Sequence, residues 1–354
     1  MPSAEPVFLG VDVGTSGVRV LAVDASGQIL ARAMKEYPLH MPRPGWTEQD
    51  PRDWWEAAVA CFRSITAQVP KDRVYGIGLT GQMHGAVFLD QDGEVIRPAL
   101  LWNDQRTVAE CREIEERVGT SQLRQIAGNP ALTGFTAPKV LWLRRHEPHN
   151  FNRLVHLLLP KDYVRFRLTG ELATDVSDAS GTLFLDVASR KWSDAIMEAL
   201  DLDPSILPRL YEGSEVAGQV SPKAAAETGL PAGIPVVAGG GDQAVGAIGM
   251  GVVRPDLVFV SVGTSGVVFA ATPWPAHSKV RGASPPEGLD PSTLSTVHSF
   301  CHAVPEMWHL MGVMLSAGGS LRWLRDSLYS REAEEARAVG EEPYDRITAE
   351  AATV

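Results

Sequence analysis

Cysteine is scarce: Cys61, Cys111 and Cys301 are far apart, odd in number and never in a Cys-x-x-Cys spacing. That excludes a disulfide framework and a zinc ribbon, and it fits a reducing, cytoplasmic setting. Basic residues are outnumbered, with a formal net charge of −11 and no basic stripe. Nucleic acid is therefore not an expected partner. No apolar run approaches the ~20 residues that cross a bilayer, and the start, "MPSAEPVFLG", has neither a positive region nor a long apolar one. Neither a membrane nor a signal peptide is expected.

What remains is the composition of an ordinary globular protein, 44% hydrophobic and 21% charged over 354 residues. At ~150 residues per domain, two lobes are expected. A pentapeptide, VGTSG, occurs twice, at 13–17 and 262–266, each time after an apolar run. Residues 7–37 predict a three-stranded meander, with turns at 14–17 and at "DASG". Asp50 followed by Pro51 predicts a helix start. The next helix carries Trp54 and Trp55, expected as one core and one surface residue. "VYGIGLTGQMHGAVFLD" predicts strand, loop, strand, and 108–118 a charged helix. A further helix is expected after Pro138, and a strand end feeding a helix in "LVHLLLPKDYVRFRLTG". "IPVVAGGGDQAVGAIGMG" predicts a short buried strand, three glycines and a helix opening at Asp242. The repeated hairpin divides the chain into lobes 1–246 and 247–354. The second is too short to complete a layered core and is expected to be incomplete.

Glycine-bounded turns present consecutive amides that can hold an anion. One such copy is most simply a hairpin turn. Two copies could grip the two ends of a polyphosphate, through Gly14, Thr15 and Ser16 and through Gly263, Thr264 and Ser265. Asp12 precedes the first copy within an apolar strand, where a carboxylate is costly unless paired or metal-bound, so Mg2+ beside the phosphates is expected there. The second copy has Ser261 at that place. Asp242 is either a helix cap or a general base whose pKa the helix dipole would lower. The glycines before it would let a substrate approach. Met83 and His84, and Trp102 and Asp104, stand in loops at strand ends that suit a small polyol. "HSFCHAVPEMWH" lacks a completing ligand set, so its histidines are expected in a half-buried strand, not on a metal.

These pieces resemble the FGGY carbohydrate kinase family. The resemblance is carried by "GVDVGTSGVRV", "GQMHG", "LWNDQR", "GFTAPKVLWLRRHEP" around Lys139, "LLPKDYVRFRLTGE", "TDVSDASGTLFLD", "VVAGGGDQAVGA", "SVGTSGVVFA" and "VHSFCHAVPEMWHLMGVML". It runs from Gly10 to Leu324 in matching order. It implies an α/β fold of the actin/hexokinase type, built from duplicated ribonuclease-H-type lobes that enclose ATP. It also implies phosphorylation of a sugar by ATP with Mg2+, and the Gln-Met-His loop points to D-xylulose, giving D-xylulose 5-phosphate. Asp242 would take the proton from the 5-hydroxyl, and Asp12 would serve the Mg2+–ATP centre. Met83 and His84 would contact the ketose, with Gln243, Trp102 and Asp104 as further contacts. The implied partners are the two small molecules, and a homodimer is compatible with them. Family members continue beyond this point with an adenine-binding segment, so a fragment or truncated product is expected. Rival readings are a kinase for ribulose, gluconate or glycerol, a sugar-binding remnant without transfer, and an actin-like ATPase.

Overall fold

In the computed structural model, residues 5–277 and 296–353 are described. Strict alternation in "VFLGVDV" makes β1 (Val7–Val13) a two-faced strand. Val7, Leu9, Val11 and Val13 are buried, while Phe8, Gly10 and Asp12 face the other way. Asp12 is thus not in the apolar core that its neighbours fill. β2 (Gly17–Asp24) pairs antiparallel with β1, and β3 (Ile29–Glu36) with β2, giving the expected meander. Asp50 caps α1 (Pro51–Thr66), its side chain accepting from the Arg52 amide. β4 (Val74–Gly81) then runs parallel to β1.

α2 (Thr136–His146) starts two residues before Pro138. In the first helical turn proline's missing N–H removes no intrahelical bond, so it did not mark the boundary. α3 (Pro160–Thr169), β5 (Val216–Gln219) and β6 (Pro235–Val237) follow. The sheet order is β5-β6-β4-β1-β2-β3, with Gly240–Gly241 also alongside β4. α1 lies under β2 and β3, and α3 under β1 and β4. Trp54 and Phe62 are fully buried there, each contributing roughly 1.5–3 kcal/mol of transfer free energy. Trp55 is also buried, not on the surface: its Nε1 donates to Glu227 Oε2 at 2.8 Å and Arg167 lies over its ring.

α4 (Asp242–Gly249) leads to a second sheet. It contains β7 (Val258–Val262), β8 (Gly266–Thr272), β9 (His298–Cys301) and β10 (Trp308–Met314), in the order β7-β8-β10-β9, all antiparallel. The pentapeptide closes differently each time. In the first hairpin Val13 pairs with Val18 and the Gly14 amide bonds the Gly17 carbonyl. In the second, Val262 pairs with Gly266 and the Gly263 amide bonds the Ser265 carbonyl, one residue tighter. Helix α5 (Gly318–Ser327) follows, and two more helices occupy 330–338 and 343–351. The second sheet is not an independent core: Phe269, Phe300 and Met311 pack in one cluster with Phe135, Leu141 and Phe184.

Candidate active site

A cavity of about 480 Å3 opens where the two sheets meet. The loop after β4 supplies Met83 and His84, the α4 start supplies Asp242 and Gln243, and the second hairpin supplies Ser265. Trp102 forms part of the wall. The GQMHG loop, the start of α4 and the second VGTSG turn therefore converge on one space.

The Asp242 turn is assembled from close backbone approaches. Gly239 has a φ of 83° beside β4, where an added Cβ would overlap the Leu79 carbonyl. A Cβ on Gly241 would fall 2.7 Å from the Met83 sulfur. These glycines admit the close approach of the protein's own β4 and Met83. Gly239→Ala is expected to lower stability by about 3 kcal/mol, combining left-handed strain with overpacking. A urea midpoint within experimental error of the parent would show that the turn relaxes freely.

Gly241, not Asp242, is the residue preceding the helix; Asp242 is its first residue, and its carboxylate accepts from the Gln243 amide at 2.8 Å. Burial pushes the Asp242 carboxyl up to about 6, the amide bond opposes this, and the Asp12 charge adds to it. This corrects the expected lowering: removal from water outweighs the end of a short helix. Asp12 is half-buried, with Arg19 3.3 Å from its Oδ2; burial raises its pKa and Arg19 counters. It lines a second cavity of about 510 Å3 that Thr80, Gly239 and Val245 also border.

A buried ionic cluster supports the Asp242 turn from below. Lys161 Nζ lies 2.6 Å from Asp162, 2.8 Å from Asp175 and 3.1 Å from Asp178, and Arg165 lies 3.1 Å from Asp162. All five side chains are fully buried. Arg165 donates to the Ala238 carbonyl at 2.8 Å. Asp175 accepts from the Ser177 amide and hydroxyl, and that hydroxyl oxygen accepts from the Gly241 amide at 3.2 Å. Lys139, also fully buried, holds the loop after β4, donating to the His84 carbonyl at 2.7 Å and the Gly134 carbonyl at 2.6 Å. Burial pulls its pKa down to about 7.

Several expected site residues have other duties. Asp104 is fully buried and does not reach the cavity. It accepts from the Thr47 amide at 2.7 Å and pairs with Arg106 at 2.7 Å, because a carboxylate this far from water must be saturated internally. Thr15 does not line the cavity either: its hydroxyl donates to Gln82 Oε1 at 3.2 Å and accepts from Trp102 Nε1 at 3.1 Å. That bond spends the Trp102 donor too, leaving its ring as wall. The Gly14 carbonyl accepts from the Tyr37 hydroxyl. In the second hairpin the Gly263 and Thr264 carbonyls accept from the Gly318 and Gly319 amides, tying the turn to α5. Among the described residues, the amides of Thr15, Ser16, Thr264 and Ser265 have no protein acceptor. Sequence reasoning missed Gln105, Phe135, His298 and Phe300, which also line the cavity. All four lie inside the motifs quoted above, but only long-range packing brings them to one cavity.

The model for the N-terminal domain of the FGGY family of carbohydrate kinases matches residues 7–249. The chain belongs to this family. Among relatives of this FGGY chain, the xylulose kinase of Escherichia coli (strain K12) is 47% identical over 317 residues, covering 90% of this chain and 62% of that protein. The xylulose kinase of Klebsiella pneumoniae is 45% identical with the same coverage. Among solved structures, the crystal structure of a xylulose kinase from Brucella ovis superposes with a TM-score of 0.82 at 42% identity, over 96% of this chain and 65% of that one. The xylulose kinase from Rhodospirillum rubrum gives 0.85 at 29% identity, over 98% and 67%. These neighbours share the actin/hexokinase-like FGGY architecture, and the chain spans 62% of the length of the curated relatives. Among the described residues, no helix is long and apolar enough to cross a membrane.

Proposed function

We propose that the protein transfers the terminal phosphoryl group of ATP to the 5-hydroxyl of D-xylulose, with Asp242 as general base. The observation that carries this reading is the shared cavity: Asp242, with a pKa raised to about 6, faces Met83, His84 and Ser265. The names of the E. coli and K. pneumoniae relatives support the choice of sugar. In this reading the chain divides near 246/247, and ATP lies between the hairpins at Gly14–Ser16 and Gly263–Ser265. The unpaired amides at 15, 16, 264 and 265 receive phosphate oxygens. Asp242 accepts the hydroxyl proton as the sugar oxygen bonds phosphorus and the bond to ADP breaks, leaving a protonated carboxyl. Met83, His84 and Gln243 position the ketose, so most of the rate comes from alignment and charge complementarity.

Mg2+ fits Asp12. One half-buried carboxylate, with only one oxygen engaged by Arg19, suits a cation that takes its other ligands from phosphates and water. When bound, the metal would neutralise phosphate charge. We infer a cytoplasmic protein, a reading supported by three free cysteines.

An ADP-release assay with D-xylulose, D-ribulose, D-gluconate and glycerol tests the reading. Turnover dependent on D-xylulose supports it, and turnover indifferent to sugar identifies an ATPase. Calorimetric binding of sugar without ATP binding identifies a non-catalytic remnant. Because the base must be ionised, kcat/KM should rise about tenfold per pH unit below about 6 and level off above. A profile flat from pH 5 to 8 contradicts the Asp242 assignment.

A further inference from the structure

His298 opens β9 and reaches the cavity from the second sheet. Its Nδ1 lies 2.8 Å from Asn129 Oδ1. Asn129 is fully buried, and its Nδ2 donates to the carbonyls of Ala127 at 3.1 Å and Ser299 at 2.9 Å. Carbonyl oxygens only accept, so the NH2 group must face them and Oδ1 must face the imidazole. His298 therefore carries its hydrogen on Nδ1. Burial and the Arg124 charge disfavour a second proton, so Nε2 keeps a bare lone pair.

His84 is locked in the same tautomer by a different partner. Its Nδ1 lies 2.7 Å from the Gly181 carbonyl, which can only accept. Burial pulls its pKa down to about 3. The two imidazoles flank the Phe135 and Phe300 rings: His84 and Phe135 centroids are 4.7 Å apart, and His298 stacks on Phe300 at 5.8 Å. His302, by contrast, spends both nitrogens, on the Val252 carbonyl and the Val304 amide.

We propose that His298 is a specificity-determining residue whose Nε2 accepts a hydrogen bond from a substrate hydroxyl, alongside His84 in the lining of the same cavity. This deepens the sugar-binding reading and rests on it. Two fixed lone pairs in a cavity that the Asp242 carboxylate also lines favour a neutral polyhydroxylated ligand, whose hydroxyls donate. They disfavour a sugar acid, whose carboxylate would meet lone pairs and negative charge.

The test uses the full chain labelled with 15N-histidine, titrated with D-xylulose and with D-gluconate. His298, assigned by its loss in His298→Phe, should show a protonated Nδ1 and an unprotonated Nε2 whose resonance moves upfield as D-xylulose binds. Calorimetry should show His298→Phe weakening D-xylulose by about tenfold to a hundredfold, as for a lost buried hydrogen bond. His298→Gln, whose amide oxygen can replace Nε2, should recover part of that loss. A proton on Nε2 in the free protein, or D-xylulose affinity unchanged in His298→Phe, overturns the proposal while leaving the sugar reading intact. Failure of the unsubstituted chain to bind D-xylulose defeats the sugar reading, and this inference with it.

Discussion

Substituting Asp242 by asparagine is expected to slow phosphoryl transfer by ~10^2–10^4-fold, the range for a positioned general base, while D-xylulose affinity stays within a few-fold. The amide has nearly the same shape and still accepts from the Gln243 amide, so the turn is preserved. What it lacks is a site for the hydroxyl proton. The same substitution should stabilise the fold at neutral pH. The native carboxyl has its pKa raised from 3.8 to about 6, so the folded state disfavours the ionised form. The contribution of the protonated group is fully present below about 4 and is lost as pH rises through about 6. At pH 8 the native protein therefore carries a penalty of up to about 3 kcal/mol that asparagine lacks. Urea midpoints should favour Asp242→Asn at pH 8 and converge near pH 4. Undiminished transfer by this variant would remove Asp242 from the chemistry. Equal midpoints at pH 8 would show that the carboxylate is well solvated.

Lys161→Met should cost the most stability, about 3–5 kcal/mol, because it leaves buried carboxylates short of a cation. Burial and the charges of Asp162 and Asp175 raise Asp178 well above the ordinary range, and Lys161 opposes this. Lys161 and Arg165 are the two cations facing the carboxyls of Asp162, Asp175 and Asp178. Removing Lys161 takes away one of those two cations while the carboxyls stay out of reach of water. The damage should extend to the Asp242 turn, since Asp175 holds Ser177 and Ser177 holds the Gly241 amide. Lys161→Met combined with Asp175→Asn removes one carboxylate along with the cation and keeps an acceptor for Ser177, so it should recover a measurable part of the loss. A single variant that melts with the parent would show the cluster to be hydrated. A double variant weaker than the single would show that packing, not charge, is at stake.

The separate contributions of sequence and fold are clearest at the two VGTSG copies. Alternation of apolar residues and the glycines made both hairpins legible, since those signals are local. Identical letters nonetheless close with a four-residue loop in one copy and a three-residue loop in the other; the equivalent carbonyls are held by the Tyr37 and Gln49 side chains in the first copy and by backbone amides at 317–319 in the second. The Asp242 position was legible from three glycines and a small-residue helix. Its pKa was not, because a helix end is a local feature whereas desolvation depends on what the rest of the chain places around it. Trp102 and Asp104 show the same divide: adjacent in one motif, one lines the cavity and the other is sealed in an ion pair.

The sequence by itself determined the elements, their order, the two hairpins, the Met83–His84 loop and the acidic residue at the start of α4. Period-two and helical patterns act over a few residues and need no partner. Only the tertiary structure decided that the Thr15 hydroxyl and the Asp104 carboxylate are spent internally, that burial pushes the Asp242 carboxyl up to about 6, and that His298 faces the cavity as an acceptor. Each of these is set by groups tens to hundreds of residues away, which enter the local energy only when the chain has packed.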